Sequence, residues 1–270
     1  MSYLAFDQAI RNGAASETVS MCRDLLTEVA EGRCDLVAIR HPLGFLCLPL
    51  SRDHDHGVCV HHWDPDAPRT APTTSPVHAH SWDLLSFVLH GRVGNTSVRV
   101  TENGVGGGWR VFEVHSRDGI DQMVATARLV DWEPQEESVV YAGQSYVLPA
   151  GRFHASVVED GTHAVTVVLG RTRAEIPDLS LGPRDTRSHR VPRQRCGTGE
   201  TARIARTILT TLAGAAPTGP GDSTKPGGSN KPGCSAKTGD SVESGSLLGP
   251  GGGPHVPGGR VVQCDQPTSI

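Results

Sequence analysis

The sequence predicts an all-β barrel, and three observations support this prediction. Between residues 35 and 170, short runs rich in Val and Leu follow one another, as in LLSFVL, WRVFEV and HAVTVVLG. Gly, Pro, Asp and Asn separate these runs, as in RDHDHG and ENGVGGG. No long helical pattern intervenes between the runs. A series of about ten short strands with such punctuation is typical of a β-barrel or β-sandwich.

Residues 1–34 are predicted to form an N-terminal helical segment outside the barrel. Within residues 16–32, Ser16 can cap a helix and Gly32 can end it. The apolar residues of this stretch recur at helical spacing: Val19, Cys22, Leu25, Leu26 and Val29. We therefore expect a helix that packs against the barrel of residues 35–172.

Two further segments follow the predicted barrel. Residues 173–216 are interpreted as an arginine-rich linker that ends in a stretch compatible with one helix, GETARIARTILTTLAGAA; the linker is either solvated or a contact for an anionic partner. Residues 217–270 are rich in Gly, Pro and Ser, and such a segment has too little apolar surface to offset the entropy of ordering. We expect this tail to be disordered. On these boundaries, a chain that ends at residue 180 keeps the complete barrel.

Composition excludes several classes of function. The 270 residues carry a net charge of −4, and the pI is near 6.3, so no basic field favours nucleic acid. No apolar run reaches the roughly 18 residues that span a bilayer, and the N-terminus lacks the pattern of a secretory signal. We expect a cytoplasmic protein without a membrane partner. The seven cysteines form no C-x-x-C pair, so neither a disulfide framework nor a thiolate zinc site is predicted.

Candidate metal ligands begin the strand-like stretch PVHAHSWDLLSFVLHG. Alternate residues of a strand project to the same face, so His78 and His80 can present two imidazoles to one point. Neutral imidazole is a good ligand for Fe, Zn, Cu and Ni. Two converging imidazoles therefore indicate a metal site that needs a further ligand.

A third histidine is found in GQSYVLPAGRFHASVV. Pro149 and Gly151 predict a turn, and this turn would deliver His154 at the beginning of the next strand. The sequence thus predicts a site formed by His78, His80 and His154.

These two stretches resemble the paired motifs of the cupin superfamily. His78, His80 and Gly91 match the first motif at its spacing, and residues 143–154 match the Gly, Pro, Gly and His positions of the second. The resemblance implies a cupin double-stranded β-helix barrel, which here would lie between the N-terminal helix and the disordered C-terminal tail predicted above. It covers residues 76–158 by motif and about residues 35–170 by strand pattern.

One departure from the family pattern affects the expected chemistry. The glutamate of the first motif would fall at Leu84 or Leu85, and Asp83 has the wrong strand parity to join the histidines. The resulting three-histidine site is similar to that of thiol dioxygenases related to cysteine dioxygenase. That resemblance implies Fe(II), which would bind substrate sulfur and dioxygen side by side. Zn, Mn and Ni are the alternative metals.

The function predicted from the sequence is an Fe(II) dioxygenase that acts on a small anionic substrate, with a thiol as one option. Tyr146 is a candidate hydroxyl donor and Arg152 a candidate anchor for the anion, although packing in the core and exposure to solvent are the ordinary alternatives. The alternatives for the whole chain are a non-redox isomerase or lyase, and a cupin that binds a small ligand without turnover. The expected partners are a small-molecule substrate and dioxygen, and cupins often form homodimers through strand edges.

Overall fold

The computed structural model describes residues 2–68 and 70–214 of the chain. The expected disorder of residues 217–270 lies outside the described residues. No described helix is long and apolar enough to cross a membrane.

Three helices of the described residues flank the β-structure: α1 (Tyr3–Arg11), α2 (Ala15–Ala30) and α3 (Thr198–Gly214). The predicted N-terminal helix corresponds to α2, but its N-cap is Ala14 rather than the predicted Ser16. The backbone N–H and the hydroxyl of Thr18 both donate to the Ala14 carbonyl, so the helix begins two residues earlier than the serine suggested. At the other end, Gly32 adopts a left-handed conformation, as predicted.

Within the part of the chain that the structure describes, fourteen strands form two antiparallel sheets, which confirms the all-β prediction. Sheet I contains, in spatial order, β14 (Gln194–Arg195), β1 (Ile39–Arg40), β2 (Leu46–Arg52), β3 (His56–Trp63), β11 (Ala164–Thr172), β5 (Trp82–His90) and β9 (Ser145–Leu148). Sheet II contains β13 (His189–Pro192), β8 (Ile120–Tyr141), β6 (Arg92–Glu102), β10 (His154–Val157), β4 (His78–Ala79), β12 (Leu179–Pro183) and β7 (Trp109–Arg117).

Sheet II closes on itself through the long strand β8. The second half of β8 pairs with β6 and its first half pairs with β7, while β7 also pairs with β12. A register shift between Thr96 and Val98 marks a bulge opposite Pro134. Because proline cannot donate a ladder hydrogen bond, a bulge is a position where a strand accommodates it. The runs VATARLV and ESVVY suggest two separate strands in the sequence, whereas the structure contains both in the single strand β8.

Sheet I is covered on one face by the helices and faces the barrel interior on the other. Strand β5 shows the alternation clearly. Leu85, Phe87 and Leu89 pack with the helices, whereas Trp82, Leu84 and Val88 belong to a separate interior cluster. We call the second set the interior face of sheet I. Both faces bury apolar side chains, so the strand reads as a nearly continuous hydrophobic run.

The predicted linker of residues 173–216 differs from what the structure contains. Strands β12, β13 and β14 belong to the two sheets, and β12 pairs with both β4 and β7. Arg193, which the sequence assigned to a solvated segment, forms a buried ion pair with Asp121, at 2.7 Å between Nη2 and Oδ1. The arginine content suggested solvent because a buried arginine requires a carboxylate partner, and that partner is distant in sequence. The predicted helix at the end of this segment is present as α3.

Candidate metal site

The structure brings together the three histidines that the sequence singled out. The ring centroids lie 4.3 Å apart for His78 and His154, 4.8 Å for His78 and His80, and 4.9 Å for His80 and His154. One ring nitrogen from each histidine lies within 4.8 Å of the corresponding atoms of the other two. The exposed fraction is 1% for His78 and His80 and 2% for His154. These imidazoles therefore form one buried cluster.

Strand register places His154 beside the first two histidines. His154 is directly opposite His78 in the antiparallel pair of β10 and β4. His78 and His80 are two residues apart in extended chain, so both side chains project to the face on which His154 lies. The H-x-H spacing and the pairing of β4 with β10 together create the cluster.

The turn before His154 is bonded to the strand that carries His80. Gly151 has φ of +75°, which favours glycine, and its N–H donates to the His80 carbonyl at 2.8 Å. The neighbouring Ala150 N–H donates to Asp83 Oδ1 at 3.0 Å. Two motifs far apart in sequence are thus held together by hydrogen bonds from the backbone of the turn, one to a backbone carbonyl and one to a side chain. The closed β-structure and the paired motifs have the arrangement that the cupin resemblance implied.

The comparisons with known proteins give similarities to solved structures alone. No protein-family model and no curated protein matches the sequence. The similar solved structures include hydroxypropylphosphonic acid epoxidase from S. wedmorenis (14% identity, 47% of this chain and 50% of that chain, TM-score 0.27), hydroquinone 1,2-dioxygenase PnpCD in complex with Cd2+ and 4-hydroxybenzonitrile (16%, 48% and 69%, 0.28) and oxalate oxidase (16%, 60% and 65%, 0.25). This chain spans about half the length of the epoxidase. At these TM-scores we infer nothing about function from them.

Hydrogen bonds fix the tautomers of His78 and His154. His78 Nδ1 lies 2.9 Å from the Pro76 carbonyl, and His154 Nδ1 lies 3.0 Å from the Arg152 carbonyl. A carbonyl oxygen only accepts, so each Nδ1 carries the proton and each Nε2 has a free lone pair. The Nε2 atoms of His78, His80 and His154 are buried and make no hydrogen bond to any described residue. Such an arrangement is typical of imidazoles that bind a metal.

Burial keeps these imidazoles neutral. Desolvation lowers the pKa of His78 and His80 well below its usual value, and neighbouring histidines lower both further. Desolvation lowers the pKa of His154 to about 4. The cluster therefore holds unprotonated rings near neutral pH, which is the state that binds metals.

Trp82 supports the cluster from the interior face of sheet I. Its ring centroid lies 4.2 Å from that of His80, with 34° between the ring planes. The indole also packs against the backbone of Gly170 on β11, where a Cβ atom would come within 2.8 Å of Trp82 Cε3. The indole that contacts the His80 ring is therefore itself closely packed against β11.

The residues at and near the missing glutamate have separate roles. Leu84 packs in the interior cluster and Leu85 packs with the helices, so neither supplies a ligand. Asp83 accepts from Ala150 and forms an ion pair with Arg173, at 2.6 Å between Oδ2 and Nη2. The prediction that Asp83 stays out of the cluster agrees with these contacts.

Tyr146 and Arg152 lie near the cluster, but their predicted roles stay predictions. Tyr146 is half-buried on β9, packs against the interior cluster and lies opposite Ser86. Arg152 is exposed and lines a cleft of about 930 Å³ that His154 also borders. Arg99 and Arg128 line the same cleft and are paired with glutamates.

Sequence reasoning missed Asp178, which lies in the segment taken for a linker. Its carboxylate accepts from the Ser81 N–H at 2.6 Å, directly after His80. Desolvation raises the pKa of Asp178 to about 7, although the bonds from Ser81 oppose that rise. No local pattern marks this aspartate, because its partner is distant in sequence.

Three interior polar side chains were also missed. Ser86 lies on the same face of β5 as Trp82 and Val88. Thr166 on the neighbouring strand β11 lies directly opposite Val88, so its side chain projects to that face too. Asn95 lies opposite Ser156, which shares the face of His154 and donates to Asn95 Oδ1 at 2.6 Å. Ser86 Oγ, Thr166 Oγ1 and Asn95 Nδ2 are buried without a hydrogen bond to the described residues. Strand parity from the histidines and Trp82 was the signal that could have identified them.

Proposed function

We propose that His78, His80 and His154 bind one divalent metal ion, Fe(II) foremost, and that this cupin is a dioxygenase of a small anionic substrate. One observation carries the proposal: three neutral imidazoles converge in the barrel, and their buried Nε2 atoms have no hydrogen-bond partner among the described residues.

The three imidazoles fit a metal ion chemically. A buried polar atom left without a partner costs about 1–3 kcal/mol, so three of them in one place need a common compensation. A divalent ion provides it, because each Nε2 donates its lone pair to the same centre. Three protein ligands leave open positions, as in catalytic rather than purely structural metal sites.

The charge of the site supports an anionic substrate. Neutral imidazoles leave the +2 charge of the ion uncompensated, and Leu84 stands near the position where a carboxylate would reduce that charge. A thiolate or carboxylate substrate would restore neutrality in a buried interior. Zn, Mn and Ni also bind imidazole, so the preference for iron rests on the proposed reaction.

The chain's own residues would bind and orient the substrate. When bound, the ion would supply Lewis acidity and electrons for reaction with dioxygen. Trp82 fixes the orientation of the His80 ring, and apolar neighbours such as Leu84 exclude water. The hydroxyls of Ser86 and Thr166 would donate hydrogen bonds to substrate oxygen atoms. Tyr146 would add a hydroxyl donor, and Arg152 would attract the anion at the cleft.

The first test is elemental analysis of protein purified without oxygen and then supplied with Fe(II). We expect about one iron per chain in the wild type. The His154→Ala variant should lose it, and the His115→Ala variant should keep it because that histidine is exposed and far from the cluster in register. Absence of bound metal in the wild type after Fe(II), Zn(II) and Mn(II) are supplied would exclude the proposal.

Oxygen uptake then tests the reaction itself. We expect iron-dependent consumption of dioxygen with at least one member of a panel of small thiols and carboxylates, lost in His154→Ala. Turnover without oxygen consumption would indicate an isomerase or lyase. Substrate binding without turnover would indicate a binding protein, and either outcome would refute the dioxygenase.

A further inference from the structure

A second group of metal-binding side chains lies on the interior face of sheet I. Cys47, Cys59 and His61 each offer one ligand atom, and the three atoms lie within 4.8 Å of one another. The exposed fraction is 0% for Cys47, 4% for Cys59 and 0% for His61. We call these three residues the thiol cluster.

Strand register creates the thiol cluster. Cys47 on β2 lies directly opposite His61 on β3. Cys59 precedes His61 by two residues on the same strand, so its side chain projects to the same face. The two cysteines lie on consecutive strands, twelve residues apart, and lack a C-x-x-C spacing, which is why the sequence predicted no thiolate site.

The thiol cluster faces the barrel interior rather than the helices. Cys47 and Cys59 belong to the apolar cluster that also contains Trp82, the indole that contacts His80. The aromatic neighbours of His61 are Phe45, at 4.6 Å between ring centroids, and Trp63, at 6.0 Å. His61 is also among the charges that lower the pKa of His80, after desolvation and closer histidines. Both clusters therefore lie in the same barrel interior.

We propose that Cys47, Cys59 and His61 form a second metal site that binds a soft divalent ion, with zinc as the preferred ion. The site is separate from the histidine cluster in all its ligands, and it does not depend on the proposed dioxygenase activity.

Charge balance explains the preference for zinc. Two thiolates and one neutral imidazole exactly neutralise a +2 ion, and a neutral complex is the form that an apolar environment accepts at least cost. Binding breaks two S–H bonds, forms two S–Zn bonds and one N–Zn bond, and releases two protons to solvent without oxidation or reduction. Zinc bonds of about 2.3 Å to sulfur and about 2.0 Å to nitrogen place neighbouring ligand atoms less than about 4 Å apart. The thiol cluster reaches this spacing with small side-chain shifts.

The softness of the ligands would favour zinc at the thiol cluster and iron at the histidine cluster. Thiolates favour zinc over the harder divalent ions, whereas imidazole accepts iron. The three donors of the thiol cluster occupy three of the four tetrahedral positions of zinc. The remaining position is open to a small donor molecule within the barrel.

Cobalt substitution tests the thiol cluster directly, because Co(II) bound to thiolate gives a charge-transfer absorption that imidazole does not. We expect this absorption in the full chain, and it should saturate at one equivalent of Co(II). In Cys47→Ser and Cys59→Ser, the affinity for Co(II) measured by this absorption should fall by at least tenfold. The matched control is Cys22→Ala, a buried cysteine among the helices, which should keep it. His154→Ala should also keep it while losing iron, so the two proposals fail separately.

Zinc protection of thiols gives a measurement that needs no variant. We expect zinc to slow alkylation of Cys47 and Cys59 in wild-type protein by at least tenfold, located by mass spectrometry, with exposed Cys34 unaffected. Equal alkylation with and without zinc would overturn the proposal. So would a thiolate absorption that survives in Cys47→Ser, or one that never appears in reduced wild-type protein.

Discussion

Replacing Gly170 by Ala should weaken the metal site through Trp82. Gly170 has no side chain, and the Trp82 ring occupies the space that a Cβ atom would enter. That Cβ would lie 2.8 Å from Trp82 Cε3 and 3.3 Å from Cζ3. Carbon atoms in contact prefer about 3.5–4.0 Å, so the indole must move by roughly 1 Å. The indole also contacts the His80 ring, so we expect its displacement to disturb that ligand.

The structure sets the size of the effect. Overpacking of a well-packed interior costs about 1–3 kcal/mol, and we expect the free energy of unfolding to fall by that amount. Residues that support a metal ligand typically change metal affinity about 10–100-fold when altered, so we expect the Kd for iron or zinc at the histidine cluster to rise by at least about tenfold.

Chelator competition measures the metal affinity, and urea unfolding of the metal-free protein measures stability. The control is Gly57→Ala, because Gly57 lies directly opposite Gly170 in the sheet and its added Cβ would meet no atom closer than 3.9 Å. If the metal affinity of Gly170→Ala equals that of Gly57→Ala, the inference that a displaced Trp82 ring disturbs the His80 ligand is refuted. A loss of stability without a loss of affinity would refute it equally.

Three further predictions concern the framework around the site. Burial raises the pKa of Asp178 to about 7, above its unfolded value near 3.9, so its contribution to stability is present at low pH and lost as pH rises through about 7. Urea unfolding of the metal-free protein should show this loss, and Asp178→Asn should remove it; identical pH dependence in both proteins would contradict the assignment. Asp121→Ala leaves the buried Arg193 without its carboxylate and should cost about 3–5 kcal/mol in the same assay, whereas a change below about 1 kcal/mol would show that the ion pair is dispensable. A chain that ends at residue 180 keeps the two β12 residues that pair with β4, but it loses Leu181–Pro183, through which β12 continues its pairing with β7, and it loses β13, β14 and α3. It should bind no metal, whereas a chain that ends at residue 214 should bind it; metal retained by the shorter chain would restore the boundary predicted from sequence.

The histidine cluster was predictable because its information is local. The H-x-H parity places His78 and His80 on one face, and the Pro149 and Gly151 turn delivers His154 at the start of a strand. The alternation of apolar and polar residues gave the all-β class for the same reason. Each of these patterns spans only a few residues, and strand geometry converts it directly into a direction in space.

The rest depended on pairing between distant segments. Asp178 has no local signature, and its function as an acceptor for Ser81 follows only from the position of β12 beside β4. Cys47 and Cys59 meet because of the register between β2 and β3. Arg193 resembled a solvated arginine because Asp121, its partner, lies on another strand. Pairing and register between strands, whether consecutive or remote in sequence, are the information that residue patterns did not supply.

The order of the strands also determines when the protein can acquire a metal during its synthesis. Strand β11 lies between β3 and β5, and β12 lies beside β4, so both sheets wait for late segments of the chain. His78 pairs with Ser180, which leaves the ribosome roughly a hundred residues later, or several seconds at ordinary rates of translation. The first two histidines therefore emerge long before their pocket exists. Selective loading with metal therefore has to wait until β12 has left the ribosome and paired with β4.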